Sequence, residues 1–318
     1  MPKSAEEVVM PKPAEEVMMP RPAEEVVMPK PALQRTSSTR GLFWGFLGVL
    51  AFSATLPMTR LAVAGLDPWF IALGRAVVAG VLAAIALGAT GQRWPSRAEW
   101  RSLGIVVLGV VIGFPLLSAL AMRVSPASHG AVTTGVLPLV TALFAVLRAG
   151  ERPRPAFWLC SLVGASLVVG YALQRAHGTL AVGDGLMLAA VAVCGLGYAE
   201  GGKLARSLGS WQTICWALVM AWPLLLVPTW WTRPHGEVVA SAWLGFAYLG
   251  VISMFLGFFA WYRGLALGGI ARVGQVQLLQ PFFTLFLAST LLGEALPPGL
   301  MLVAVGVAVT VALGRRLA

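Results

Sequence analysis

Ten membrane-crossing helices, arranged as two inverted five-helix repeats, are the all-α integral membrane fold that this sequence predicts, and three observations predict it. The 318 residues are 58% hydrophobic and 11% charged, where a soluble domain carries about a quarter charged residues. Apolar stretches of about 20 residues recur from Gly41 onward, each long enough to cross a ~30 Å hydrocarbon layer at about 1.5 Å per helical residue. The pattern PLVTALFAVLRAGERP, which starts at Pro138, returns as PFFTLFLASTLLGEAL from Pro281, so that Pro138, Thr141, Gly150 and Glu151 stand 143 positions ahead of Pro281, Thr284, Gly293 and Glu294.

The first forty residues are of another kind. PKSAEEVVM, PKPAEEVMM and PRPAEEVVM repeat with period nine. With a Pro every few residues and paired Glu, they offer no apolar face to bury, and a disordered tail over 1–40 is expected. It reads either as a docking arm or as an unconstrained extension, which internal starts at Met10, Met19 or Met28 would shorten. The spans follow at 41–59, 69–90, 102–122, 128–147, 156–173, 184–204, 211–231, 242–262, 273–292 and 299–313. A bilayer tolerates no unpaired backbone groups, so each is expected to be a helix. The first span resembles a cleavable leader, but Arg60, Leu61 and Ala62 match Lys203, Leu204 and Ala205 at the same shift of 143. That makes it the counterpart of the sixth span.

Charge sets the orientation, because Lys and Arg are retained in the cytoplasm. With the amino terminus inside, 18 of the 23 Lys and Arg fall on the cytoplasmic side, four fall outside, and Arg75 lies within a span. The net charge of +10 is thereby explained without a nucleic-acid partner, and the basic inner loops favour anionic lipid. Five spans per half is an odd number, so the second copy enters the membrane from the opposite face. The predicted halves are 41–175 and 183–316, with both termini cytoplasmic. Inverted repeats mark alternating-access carriers.

The residues also carry a family likeness. AMRVSPASHGAV leading into PLVTALFAVLRAGE, ALGGIARVGQV leading into QPFFTLFLASTLLGE, and an Arg early in the second span within FIALGRAVVAG resemble an EamA-type member of the drug/metabolite transporter superfamily over about residues 41–314. The resemblance implies a bacterial inner-membrane permease that moves small metabolites or amino acids, commonly outward. The period-nine tail departs from that pattern.

Candidate solute contacts follow. Gln277, Gln280 and Thr284 stand at i, i+3 and i+7 beside Pro281, on one helical stripe next to a residue that removes a backbone hydrogen bond. Their counterparts are Thr134, Leu137 and Thr141 beside Pro138. The stripe reads as cavity lining or as interhelical hydrogen bonding. Arg75, about six residues from the outer end of its span, is open to three readings: an anchor for a substrate carboxylate or phosphate, a contact to backbone carbonyls, or a snorkelling side chain. Glu200, the one carboxylate well inside a span, is a candidate carrier of a coupling proton, with Lys203 as its nearest expected partner. The first span holds no acidic residue, so the first-span Glu used by small multidrug antiporters of the superfamily has no equivalent here.

Trp69, Trp94, Trp100, Trp211, Trp230, Trp231 and Trp243 fall at span ends, as an interfacial belt requires. Tyr198, Trp261 and Tyr262 are left as candidate aromatic contacts. Pro57, Pro115, Pro138, Pro223 and Pro281 are expected to permit bending. Cys160, Cys194 and Cys215 lie inside spans without ligand spacing, and His129, His177 and His235 form no metal or triad pattern. No cofactor or metal is called for. The expected partners are a small-molecule solute and the lipid bilayer, and the oligomeric state is open. The alternatives to a carrier are a scaffold or sensor that does not translocate and, further off, an intramembrane enzyme.

Overall fold

A computed structural model describes residues 30–175, 182–295 and a subset of 298–310. Among the described residues all regular structure is helical. Among the described residues eight helices are long and apolar enough to cross a membrane: α1 Thr39–Ala62, α2 Pro68–Thr90, α3 Arg97–Val124, α4 Ala127–Ala149, α6 Val182–Leu204, α7 Ser210–Trp231, α8 Ala240–Gly268 and α9 Ile270–Leu292. Between α4 and α6 lies α5, Pro155–Arg175. The tenth expected span is described only in part, and its described positions are helical. One boundary moves: the helix leading into α1 begins at Lys30, so the end of the expected tail is helical, and residues 1–29 lie outside the described residues.

The sequence stops and starts these helices by ordinary means. Asp67 accepts from Trp69 N at 2.8 Å, with Pro68 next to it where no donor is needed. Ser96 and Glu99 form a capping box at the start of α3. Gly150 and Gly293 close α4 and α9 with φ of 66° and 65°, a conformation that glycine adopts without penalty. In both turns the following Glu donates its N–H back into the helix, Glu151 to Ala145 O and Glu294 to Ala288 O.

The spans are not regular throughout. A wide π-helical stretch occupies Val107–Gly113 of α3, and another, Leu249–Leu256, the matching part of α8. Helix α1 breaks at Ala54 and α4 at Gly135–Val136, and α9 tightens to a 3-10 turn at Gln275–Leu279. Pro115, Pro138 and Pro281 each stand in the first turn of the segment after such an irregularity. The expected kink at Pro281 is therefore located one turn upstream of it, and the proline occupies a position where its missing N–H costs nothing.

Packing repeats across the halves. Helix α1 lies against α8, and its image under the shift of 143, α6, lies against α3, the image of α8; α2 packs on α7, its own image. Glycine brings α1 and α8 into backbone contact: a Cβ at Gly41 would lie 2.5 Å from Gly268 Cα, and one at Gly264 would lie 2.6 Å from Gly45 N, the close approach that small residues permit. One end of the bundle gathers the ion pairs of Arg93 with Glu99, Arg148 with Glu200 and Arg206 with Glu151. The other end brings Arg60 to Met122 O and Glu294 to the start of α4.

Candidate functional site

A closed cavity sits where the two halves meet. Its walls are Phe52, Thr55 and Leu56 of α1, Arg75 of α2, Val110 and Phe114 of α3, Leu137 of α4, Cys194 and Tyr198 of α6, Ser253 and Phe258 of α8, and Gln280 of α9. Three pairs in this wall are exchanged by the shift of 143: Thr55 with Tyr198, Val110 with Ser253, and Leu137 with Gln280. The cavity therefore lies on the axis relating the halves, and its chemistry is lopsided. In two of the pairs an apolar residue of the first half faces a polar one of the second, and Arg75 answers to Leu218. The cavity holds about 20 Å³, room for about one water molecule.

Of the stripe on α9, Gln280 alone reaches this wall. Thr284 lies a turn further on and donates to Ser53 O at 2.8 Å, binding α9 to α1. Gln277 lies a turn earlier, with both amide atoms buried and without a partner. Thr134 is buried and donates to Ala131 O within its own helix. At the wall, Thr55 and Ser253 share a hydrogen bond of 2.9 Å. Rings close the remainder: Phe52 stands 5.0 Å from Phe258 and 6.2 Å from Tyr198, centroid to centroid. Trp261 and Tyr262, the other candidate aromatic contacts, are fully buried in the core behind.

Arg75 is 2% exposed, so the snorkelling open to it by depth is not taken. The α2–α7 and α2–α8 packing closes over it. Its Nε is buried without a hydrogen-bond partner, and among the described residues it belongs to no ion pair. Glu200 is equally buried but fully engaged: its carboxylate accepts from Arg148 Nε at 2.8 Å and from Ser102 Oγ at 2.5 Å. Lys203, its expected partner, stands at 4.0 Å. The tighter pairing with Arg148 follows from α4 lying alongside α6, a proximity that helical spacing within α6 cannot report.

The Gly-Glu turns join the two halves to each other. The Glu151 carboxylate accepts from Ile270 N at 2.9 Å and Ala271 N at 2.8 Å, the first residues of α9. The Glu294 carboxylate accepts from Ala127 N and Ser128 N, both at 2.9 Å, the first residues of α4. Every donor and acceptor of one contact maps onto the other at the shift of 143. Helices α4 and α9 therefore run antiparallel, each ending on the other's first turn, where a carboxylate is favoured by free N–H groups and the helix dipole. The EamA-like transporter family model matches residues 39–171 and again 181–314.

The chain belongs to the EamA-like transporter family. It is a membrane transporter of the EamA type within the drug/metabolite transporter superfamily. It is 51% identical to the Bacillus subtilis protein called "Uncharacterized transporter YdeK" over 283 residues, 88% of this chain and 99% of that protein. It is 28% identical to a "Probable terminal-alkyne amino-acid exporter" of Streptantibioticus cattleyicolor over 85% of this chain and 92% of that one. With the "Aromatic amino acid exporter YddG" of Ancylobacter novellus it shares 25% identity, over 89% of this chain and 100% of the relative. A solved crystal structure matches the fold of this EamA-like transporter with a TM-score of 0.69 at 19% identity, over 87% of this chain and 99% of the other. The residues that sequence reasoning missed in the wall, Phe52, Thr55, Cys194, Ser253 and Phe258, carry no charge anomaly. The signal available for two of them was the shift itself, which pairs Thr55 with Tyr198 and Ser253 with Val110.

Proposed function

We propose that this transporter moves a small metabolite or amino acid outward across the bacterial inner membrane, by alternating access between two inverted halves of five helices each, 41–175 and 183–316. The reading rests on one observation, the reciprocal pair of Glu151 and Glu294 contacts. An element whose two ends close by the same bond, made in opposite directions, offers two states in which one end or the other is released. The Lys- and Arg-rich end is read as cytoplasmic, with both termini on it.

The solute site is the central cavity, with Arg75, Tyr198 and Gln280 facing it. At about 20 Å³ it represents the closed form, and the solute is admitted when one end parts. At the basic end a second cavity of about 510 Å³ is lined by Glu151, Arg272 and Gln275. Gln277 lies in sequence between Gln275 there and Gln280 in the central wall, and its unpartnered amide suits a path that is wet when that end opens. Thr284 and Thr134 hold helices, and Glu200 with Arg148 ties the basic end. The names of the two exporter relatives support an amino-acid substrate class and the outward direction.

Counterflow tests the reading. Proteoliposomes loaded with unlabelled L-phenylalanine or L-leucine should accumulate the labelled solute faster than empty ones. Folded protein that exchanges no member of an amino-acid and small-metabolite panel would leave the scaffold or sensor reading. Reporter fusions after Arg154 and Pro298 test the orientation independently.

A further inference from the structure

Arg75 is a buried cation without a counter-ion among the described residues. A guanidinium stays charged at any relevant pH, and an unpaired charge in the interior is strongly unfavourable. Five of the described carboxylates are committed elsewhere, Glu99 to Arg93, Glu200 to Arg148, Glu151 and Glu294 to helix starts, and Asp67 to the start of α2, and neither they nor Asp184 and Glu237 line the cavity. The cavity wall beside Arg75 contains no Asp or Glu, its other polar groups being neutral: Thr55, Ser253, Gln280, Tyr198 and the Cys194 thiol. Facing these are the rings of Phe52, Phe114 and Phe258.

From this we infer that the cavity selects its solute by carboxylate and apolar body and does not require an ammonium group. The claim rests on the reading of the cavity as the solute site and names its chemical class. Arg75 supplies the counter-charge for one carboxylate, and its planar fork suits both oxygens. The rings of Phe52, Phe258 and Tyr198 take a branched or aromatic body. A substrate ammonium would meet only neutral acceptors beside a fixed cation, so zwitterionic amino acids are admitted for their carboxylate, and the same molecules without the amino group are bound at least as well. Amines of the same shape are rejected.

Two ligand series on detergent-solubilised wild-type protein test this without requiring transport: L-phenylalanine, hydrocinnamate and phenethylamine, and L-leucine, isocaproate and isoamylamine, each titrated by thermal shift and tryptophan fluorescence. Within each series the two carboxylates should bind saturably, the deaminated acid no weaker than the amino acid, and the amine at least tenfold more weakly. Arg75→Gln should abolish the preference for the acid over the amine. Arg75→Lys, which keeps the charge and the fold, should retain the preference while losing about tenfold in affinity. An amine that binds as well as its matching acid, a requirement for the amino group, or Arg75→Lys and Arg75→Gln both within twofold of wild type overturns the inference. The expected binding pattern without counterflow in proteoliposomes would refute the carrier reading and leave the inference standing.

Discussion

The two ends of the bundle are closed by the same bond and guarded by different chemistry. At the basic end Glu151 holds the first turn of α9 and is held in turn by Arg206 at 2.6 Å, while Glu200 ties α6 to Arg148 of α4 and Ser102 of α3. At the opposite end Glu294 holds the first turn of α4, and among the described residues no ion pair supports it. The positions that answer to Arg206, Arg148 and Glu200 there are Val63, Leu291 and Pro57. The duplicated frame keeps the latch, and among the described residues only the basic end adds ion pairs to it. The difference teaches that symmetry of the backbone fixes which motions exist, while side-chain chemistry sets their relative energies.

The largest effect should come from Arg148→Met, which leaves a fully buried carboxylate with only Ser102 and, at 4.0 Å, Lys203. Breaking a buried pair costs about 3–5 kcal/mol, and the half-exposed Arg148 places the expected loss near the lower bound. It is read as a fall in the melting temperature of purified protein. A change indistinguishable from a surface substitution would show that the tie is ornamental.

Next come Glu151→Gln and Glu294→Gln, each weakening two charge-assisted bonds worth about 1.5–3 kcal/mol. In a protein freed of its three cysteines, a thiol introduced at Gln275 should label faster in the first variant and one at Ser128 faster in the second, with neither affecting the other's site. Both variants raising labelling at one end alone would end the equivalence of the two latches.

Arg206→Ala should act in the direction of Glu151→Gln and more weakly, by about 0.2–1 kcal/mol, since the pair is partly exposed. Its effect on Gln275 labelling should shrink at high salt. Smallest is the converse, Val63→Arg, which gives the opposite end the cation it lacks. It should slow labelling at Ser128 by less than the Arg206 change speeds it at Gln275, and faster labelling would show that the asymmetry lies elsewhere.

Much of this frame is legible from residue order. The spans follow from apolar length, the antiparallel relation of α4 and α9 from an odd number of spans before the repeat, and the oddity of Arg75 from a single cation in an apolar stretch. The stripe Gln277, Gln280 and Thr284 was legible as a face but not as a depth. Periodicity gives the side of a helix, and only the neighbouring helices decide at which turn they part to leave a cavity, here at Gln280, and at which turn they touch, here at Thr284 against Ser53.

The sequence by itself determined the membrane as solvent, the number and register of the repeats, and the Gly-Glu turn that ends each copy, because these depend on composition and on contacts within a few residues. The tertiary structure decided who meets whom: that Glu200 has Arg148 while Arg75 has no ion-pair partner among the described residues, and that each Glu-bearing turn closes on the start of the other half. Those outcomes depend on pairs more than fifty positions apart brought together by helix packing, whose geometry is set by glycine contacts and irregular turns rather than by any local pattern.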